Sequence, residues 1–330
     1  MQCAVRTSLL VCVTFLAMSA TAPAAELTHE KHDLGGDLGI VKVAVSSDGK
    51  LYALVRALPN DTSVIRLFNA DNSESKSKFF MEGQISCVQF TPDCKYLVAG
   101  STNNQCAIWD IGTTKQVGTL SSHTDAIICL AICPKSNRIA TSSFDKTVKI
   151  WDLDNKKLLA TLKTALILQH VAFSPTGEYL VTGGKDKFVR IWNTTSFEKI
   201  FAFDSHSEAL ACFAILPDGE AIVTVAADGE IKLWDINISN KTANDRLHTS
   251  IGRGIPTLVV VHPKGHQIAI GLLSGEVMLC NMNPEAVVSE MKINSHKLPI
   301  TGLSYSHDGK KLLLCSYFES YYCIFSGLPR

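Results

Sequence analysis

The sequence predicts an all-β chain, a seven-bladed β-propeller of four-stranded antiparallel blades closed by the N-terminal strand pairing with blade 7. Three observations carry that prediction. A turn that ends a short apolar strand recurs at Ser47, Pro92, Pro134, Pro175, Pro217, Pro263 and His307, in steps of 45, 42, 41, 42, 46 and 44 residues. A second landmark recurs at Phe68, Trp109, Trp151, Trp192, Trp234, Cys280 and Phe325, in steps of 41, 42, 41, 42, 46 and 45. The last of these stands five residues from the end of the 330-residue chain, so the seventh unit has no room for a fourth strand. Two independent markers thus share a period of about 40 to 45 residues, the length of one propeller blade.

Taken in order, the first element is a leader. Residues 1–24 carry one charge, Arg6, then an apolar stretch from Leu9 to Met18 and the small residues Ala20, Thr21, Ala22, Pro23 and Ala24. This is the three-part form of a secretory signal peptide. The stretch is shorter than the roughly 20 residues that span a bilayer, and no later run is longer, so no conventional transmembrane span is expected. Residues 26–330 form the propeller. Residues 26–34 precede the first inner strand, Ile40 to Val45, and are placed to become the missing outer strand of blade 7. Each unit then opens with an apolar strand running into a turn, as in Val88–Phe90 before Thr91, Pro92 and Asp93, or Val171–Phe173 before Ser174, Pro175, Thr176 and Gly177. Alternating stretches such as Arg138–Ser142 and Val148–Trp151 follow, the pattern of half-buried strands.

Composition narrows the function. Hydrophobic residues make up 46% of the chain and charged residues 19%, and 31 basic side chains balance 31 acidic ones. A disordered polar chain needs low hydrophobicity and high net charge, and a sequence-independent nucleic-acid binder needs excess Lys and Arg to release counterions. Neither description fits, so no nucleic-acid partner is expected. Of the eleven cysteines, Cys3 and Cys12 fall in the leader, leaving nine, an odd number for a disulfide framework. No Cys-x-x-Cys pair, glycine-rich phosphate loop or Gly-x-Ser-x-Gly occurs. No metal, cofactor or catalytic residue is expected.

Trp109-Asp110, Trp151-Asp152 and Trp234-Asp235, with Trp192-Asn193 as a near match, resemble the WD-repeat family of β-transducin-like propellers, and the resemblance covers about residues 26 to 330. It implies a hydrogen-bonded set in each blade: a His before the first strand, a Ser or Thr in the second, an Asp in the next turn, and the Trp. Blade 3 matches at His123, Thr141, Asp145 and Trp151, and blade 5 at His206, Thr224, Asp228 and Trp234. Blade 4 keeps Thr182, Asp186 and Trp192 but has Thr164 at the His position. Blade 7 keeps His296 with Glu319 and Phe325, and blade 2 has Asn103 before Trp109. Such sets mimic a hydrolase triad, but their repetition at blade spacing points to satisfaction of buried polar groups, since catalysis needs one site.

Further candidates are weighed the same way. Cys87, Cys129, His170 and Cys212 stand five residues before the turn landmark of four successive blades and look like a ring of ligands. Sheets packed about 10 Å apart would keep them separate, and small apolar packing is the expected role. Cys315 and Cys323 are the one disulfide candidate, across a hairpin. Asn60, Asn193, Asn237 and Asn240 begin Asn-x-Ser/Thr triplets that permit glycosylation in a secreted chain and also arise by chance.

The family usually binds partners on the face where the loops between second and third strands open. The residue before the Asp position there is Thr102, Phe144, Lys185, Ala227, Leu273 or Phe318. Phe144, Lys185 and Phe318, with Ile167, Ile255 and Arg253 from neighbouring loops, are expected to form an apolar patch with a basic rim. The function this implies is a non-catalytic scaffold that presents a propeller face to a protein or peptide partner. The alternatives are a secretory or periplasmic propeller enzyme or carbohydrate-binding protein, and a cytosolic WD-repeat subunit of a larger complex. The leader implies a secretory, extracellular or periplasmic location. Without it the location is cytoplasmic.

Overall fold

The structure, a computed structural model, describes residues 28–34, 39–252, 254–283, 286–294, 296–317 and 319–328. The leader lies outside them. The first strand is β1 (Thr28–Asp33). Blade 1 follows as β2 (Ile40–Val45), β3 (Leu51–Leu58), β4 (Thr62–Asn69) and β5 (Ser75–Glu82), and blade 2 as β6 (Ile85–Phe90), β7 (Tyr96–Ser101), β8 (Gln105–Asp110) and β9 (Gln116–Ser121). Blade 3 is β10 (Ile127–Ile132), β11 (Arg138–Ser143), β12 (Thr147–Asp152) and β13 (Lys157–Lys163). Blade 4 is β14 (Leu168–Phe173), β15 (Tyr179–Gly184), β16 (Phe188–Asn193) and β17 (Lys199–Asp204). Blade 5 is β18 (Leu210–Ile215), β19 (Ala221–Ala226), β20 (Glu230–Asn237) and β21 (Thr242–Ser250). Blade 6 is β22 (Pro256–Val261), β23 (Gln267–Leu272), β24 (Glu276–Asn283) and β25 (Ala286–Asn294). Blade 7 supplies only β26 (Ile300–Tyr305), β27 (Lys311–Ser316) and β28 (Tyr321–Ser326).

Seven four-stranded sheets result, each antiparallel between neighbours, and the seventh has the order β1-β28-β27-β26. The start of the chain therefore closes the ring. Thr28 pairs with Ser326 and Asp33 with Tyr321, with every residue between them in register. Leu34 N–H donates to Ser320 O at 3.1 Å, and the Ser320 hydroxyl donates to Asp33 Oδ1 at 3.0 Å. His32 stacks on Tyr322 at 4.9 Å, and the Lys31 ammonium lies 3.4 Å over the Tyr321 ring. Of the expected closing segment 26–34, Glu26 and Leu27 lie outside the described residues.

Burial explains the strand patterns. The second strands sit between two neighbouring blades, and β15, β19 and β23 are buried at every position. Outer strands are far less covered: in β9 and β17 every position but Leu120 is exposed or half-buried. The core is thus a ring of inter-blade layers. Trp109 packs with Phe79, Met81 and Val55 between blades 1 and 2, while Phe68 packs with Tyr52, Leu313 and Tyr322 between blades 1 and 7. There the Tyr52 and Tyr322 hydroxyls meet at 2.7 Å, a buried polar link across the closing seam.

Two expectations are corrected here. Cys315 faces Tyr322 and Cys323 faces Leu314 across the β27–β28 pair, so the two thiols project from opposite faces and cannot bond. Both are free, as are the other seven described cysteines. The blades are also not 10 Å apart at the hub. The Ser86 hydroxyl donates to Ile127 O and the Thr257 hydroxyl to Ile300 O, both at 2.6 Å, joining neighbouring inner strands directly. Among the described residues, no group of His, Cys, Asp and Glu is arranged to hold a metal, and no helix is long and apolar enough to cross a membrane.

Candidate functional site

Blade 3 builds a complete relay. Trp151 Nε1–H donates to Thr141 Oγ1 at 2.9 Å, His123 Nε2 lies 2.8 Å from the same oxygen, and His123 Nδ1 lies 2.7 Å from Asp145 Oδ2. The chemistry orders the protons. A carboxylate only accepts, so Nδ1 carries the hydrogen; Nε2 of the neutral ring then accepts, and the Thr141 hydroxyl donates to it while accepting from the indole. Burial lowers the affinity of His123 for a second proton, which suits this neutral form. Burial alone would raise the Asp145 carboxyl, but hydrogen bonds from Thr147, His123 and the Thr124 N–H hold it below the ordinary range. Thr141 is wholly buried and the His123 side chain is sealed from solvent, so this set of hydroxyl, imidazole and carboxylate has no access to a substrate.

The other blades use parts of the device. In blade 5, Trp234 donates to Thr224 at 2.8 Å and His206 Nε2 lies 2.8 Å from that hydroxyl. Asp228 does not join them. It is exposed and caps the turn by accepting from Glu230 N–H at 3.0 Å, while the longer Glu230 side chain approaches His206 Nδ1 at 3.5 Å and also meets His248. In blade 4, Trp192 donates to Thr182 at 2.9 Å, and Asp186 pairs with Arg190 where the family has histidine. Thr164, at that His position, instead lies against the carbonyls of Lys146 at 2.9 Å and Leu166 at 2.8 Å. In blade 7, His296 pairs with Glu319, but Leu314 occupies the hydroxyl position and His296 Nε2 is buried without a partner. Asn103 of blade 2 donates to Glu82 O at 2.9 Å.

These buried rings set a pH dependence. His123, His206 and His296 are all held below the ordinary imidazole value of 6.5, chiefly by burial. Below that value the unfolded chain takes up protons that the folded chain refuses, so stability falls as pH falls. Thermal unfolding followed from pH 7 to pH 5 is expected to show a steadily falling midpoint, with a shallower slope in His123→Gln. A flat profile over that window would contradict the assignment.

The relays brace the loops of one face. On that face the loop between second and third strands bonds to the loop entering the same blade: Phe144 N–H to Ala126 O at 3.0 Å, Leu273 N–H to Ile255 O at 2.8 Å, and Tyr317 N–H to Pro299 O at 3.1 Å. Pinned backbones push side chains outward. Phe144 is 47% exposed and Ile255 54%, Lys185 is exposed, and Ile167 is half-buried. Arg253 and Phe318 lie outside the described residues. Sequence reasoning missed Leu166, Leu298 and Tyr317, which together with Leu273 are 40 to 48% exposed on the same loops. Their signal was a large apolar residue inside a turn-rich connection, where a polar one is usual. Six of the eleven exposed large apolar residues among those described therefore share this upper face. Of the Asn-x-Ser/Thr sites, Asn60 and Asn240 are exposed in turns, whereas Asn193 and Asn237 spend their side-chain oxygens capping adjacent N–H groups.

Relay, ring closure and loop face together define a seven-bladed β-propeller whose loops are held by buried tryptophan-anchored sets. The model of the WD domain, G-beta repeat, matches residues 75–110, 114–152, 156–193 and 197–235. Each match begins on the outer strand of one blade, or one or two residues before it, and ends on the third strand of the next, so the sequence unit is offset by one strand from the blade. The chain is a WD-repeat protein. It is similar to the U3 small nucleolar RNA-associated protein 15 homolog of Xenopus laevis, 24% identical over 242 residues that cover 72% of this chain and 45% of that protein. It is also similar to the cilia- and flagella-associated protein 52 of Chlamydomonas reinhardtii, 26% identical over 156 residues, 47% of this chain and 25% of that one. A third relative is the WD repeat-containing protein 91 homolog of Dictyostelium discoideum, 23% identical over 190 residues, 55% of this chain and 25% of that one. The chain spans less than half the length of each of these relatives.

Proposed function

We propose that the protein is a non-catalytic interaction platform that seats a protein or peptide partner on its upper face. One observation carries this reading: Phe144, Leu166, Ile255, Leu273, Leu298 and Tyr317 are all substantially exposed on hydrogen-bonded loops of a single face. Clustered exposed apolar residues on a rigid frame mark interaction sites, because their burial by a partner is favourable and little ordering entropy is lost. The zero net charge favours a protein partner over a nucleic acid. Two relatives are named for what they associate with, a small nucleolar RNA in one case and cilia and flagella in the other, which supports assembly inside the cell over the secretory reading. Amino-terminal sequencing of the mature chain separates those two locations.

The test compares partners captured by tagged wild type and by the double variant Phe144→Ala, Ile255→Ala. The variant is expected to keep the wild-type melting temperature, because both side chains are exposed, and to lose partner binding by about a hundredfold if both are interface anchors. Retention of the same partners at wild-type affinity would remove this face from consideration.

A further inference from the structure

All seven inner strands carry a bulge at the same place, between residues such as Ile40 and Lys42 or Ile85 and Cys87. The bulge brings one residue per blade to a common level: Lys42, Cys87, Cys129, His170, Cys212, Leu258 and Gly302. This ring contains one ammonium and no carboxylate. Lys42 is half-buried and reaches the inner strand of blade 7 through Thr301 O, and from there its charge is felt by Cys87, Cys129, His170 and Cys315, which belong to four different blades. Among the described residues, no carboxylate and no other lysine or arginine is seen to act on Cys129, His170 or Cys315.

The Lys42 ammonium donates to Thr301 O at 3.1 Å, and it takes part in none of the ion pairs among the described residues. An ammonium has three donors, so two remain for the channel. Beside it the buried Thr301 hydroxyl faces the Cys315 thiol, a weak partner, whereas Ser86 and Thr257 at the equivalent positions bridge to the next blade. His170 is held down to about 4, by burial and then by Lys42, so its ring is neutral and adds no second charge. An uncompensated cation in a confined, weakly polar space attracts an anion strongly. One ammonium balances the single charge of a carboxylate, whereas a phosphate monoester, at about −1.5 to −2, would be left undercompensated among thiols that are weak donors. Ile40 N–H bonds to Glu319 O at 2.9 Å, so Lys42 lies only two strand residues, about 7 Å, below the upper loops.

We propose that the upper channel receives one carboxylate, carried on an acidic side chain of the peptide that seats on the apolar rim. This rests on the upper-face reading above and adds the chemistry of the partner. An aliphatic or aromatic segment would cover the rim while its Glu or Asp reaches down to Lys42 and the Thr301 hydroxyl.

The test uses the full chain and two fluorescent heptapeptide pools flanked by Leu, Ile and Phe, one with central Glu and one with central Gln. Wild type is expected to bind the Glu pool at least about tenfold tighter, as for a hydrogen bond to a charged group. Lys42→Met should erase the preference with folding intact, and Lys42→Arg should retain it; Lys42→Gln replaces the Met variant if that one does not fold. Equal binding of the two pools by wild type, no binding of either, or an unchanged ratio in the neutral variants overturns the proposal. A Lys42-dependent shift of the His170 ring resonance with acetate alone, without peptide competition, also overturns it in favour of a free small carboxylate. If Phe144→Ala, Ile255→Ala leaves peptide affinity intact while the Lys42-dependent ratio persists, the apolar rim reading fails and the carboxylate seat stands.

Discussion

A chain that starts at Gly39 is expected to lose cooperative unfolding in its seventh blade, to be destabilised by roughly 5 kcal/mol, and to aggregate on warming. The estimate follows from six paired residues whose backbone bonds each contribute about 1 kcal/mol net. The packing of His32 on Tyr322 and of Lys31 on Tyr321 goes with them. Removal also turns β28 into an open edge, a template for intermolecular pairing. The measurement is denaturant unfolding of the full and shortened chains, with amide exchange read at Tyr321–Ser326. Equal midpoints and equal protection there would mean that ring closure contributes nothing.

Replacing Thr141 by Val is expected to destabilise the protein by about 3 to 4 kcal/mol, although the side chain keeps its shape. The change strands two buried groups, the Trp151 indole N–H and His123 Nε2, and each orphaned group costs about 1 to 3 kcal/mol. Thr182→Val in blade 4 strands only the Trp192 donor and should cost about half as much. The comparison, made by urea unfolding of both variants, separates the relay from the general effect of losing a buried hydroxyl. Equal losses would show that the His123 bond adds nothing to the Trp151 bond.

Much of this architecture was legible in the chain. The two landmarks set seven blades because a blade has a narrow length, and the shortfall after Phe325 called for a strand from elsewhere. The blade 3 relay was legible because all four of its residue types stand at the repeat spacing. Blade 5 read the same way, yet Asp228 and Glu230 lie two residues apart in one turn, and turn geometry chose the longer side chain to face His206. Cys315 and Cys323 looked opposed, but a register offset of one residue puts a side chain on the other face of the sheet. The spacing of the hub residues was misjudged because a face-to-face sheet distance does not apply where blades converge on an axis.

By itself the sequence determined the number of blades, the order of strands and the blade 3 relay, since these follow from period, alternation and residue type, all local properties of a chain. Only the tertiary structure decided which loops share the upper face, that six exposed apolar residues lie on it, and that Lys42 shares one level of the ring with thiols and an imidazole. Those arrangements join residues from different blades. They arise when the ring closes and brings equivalent positions of all seven units to one level, a relation that no single repeat contains.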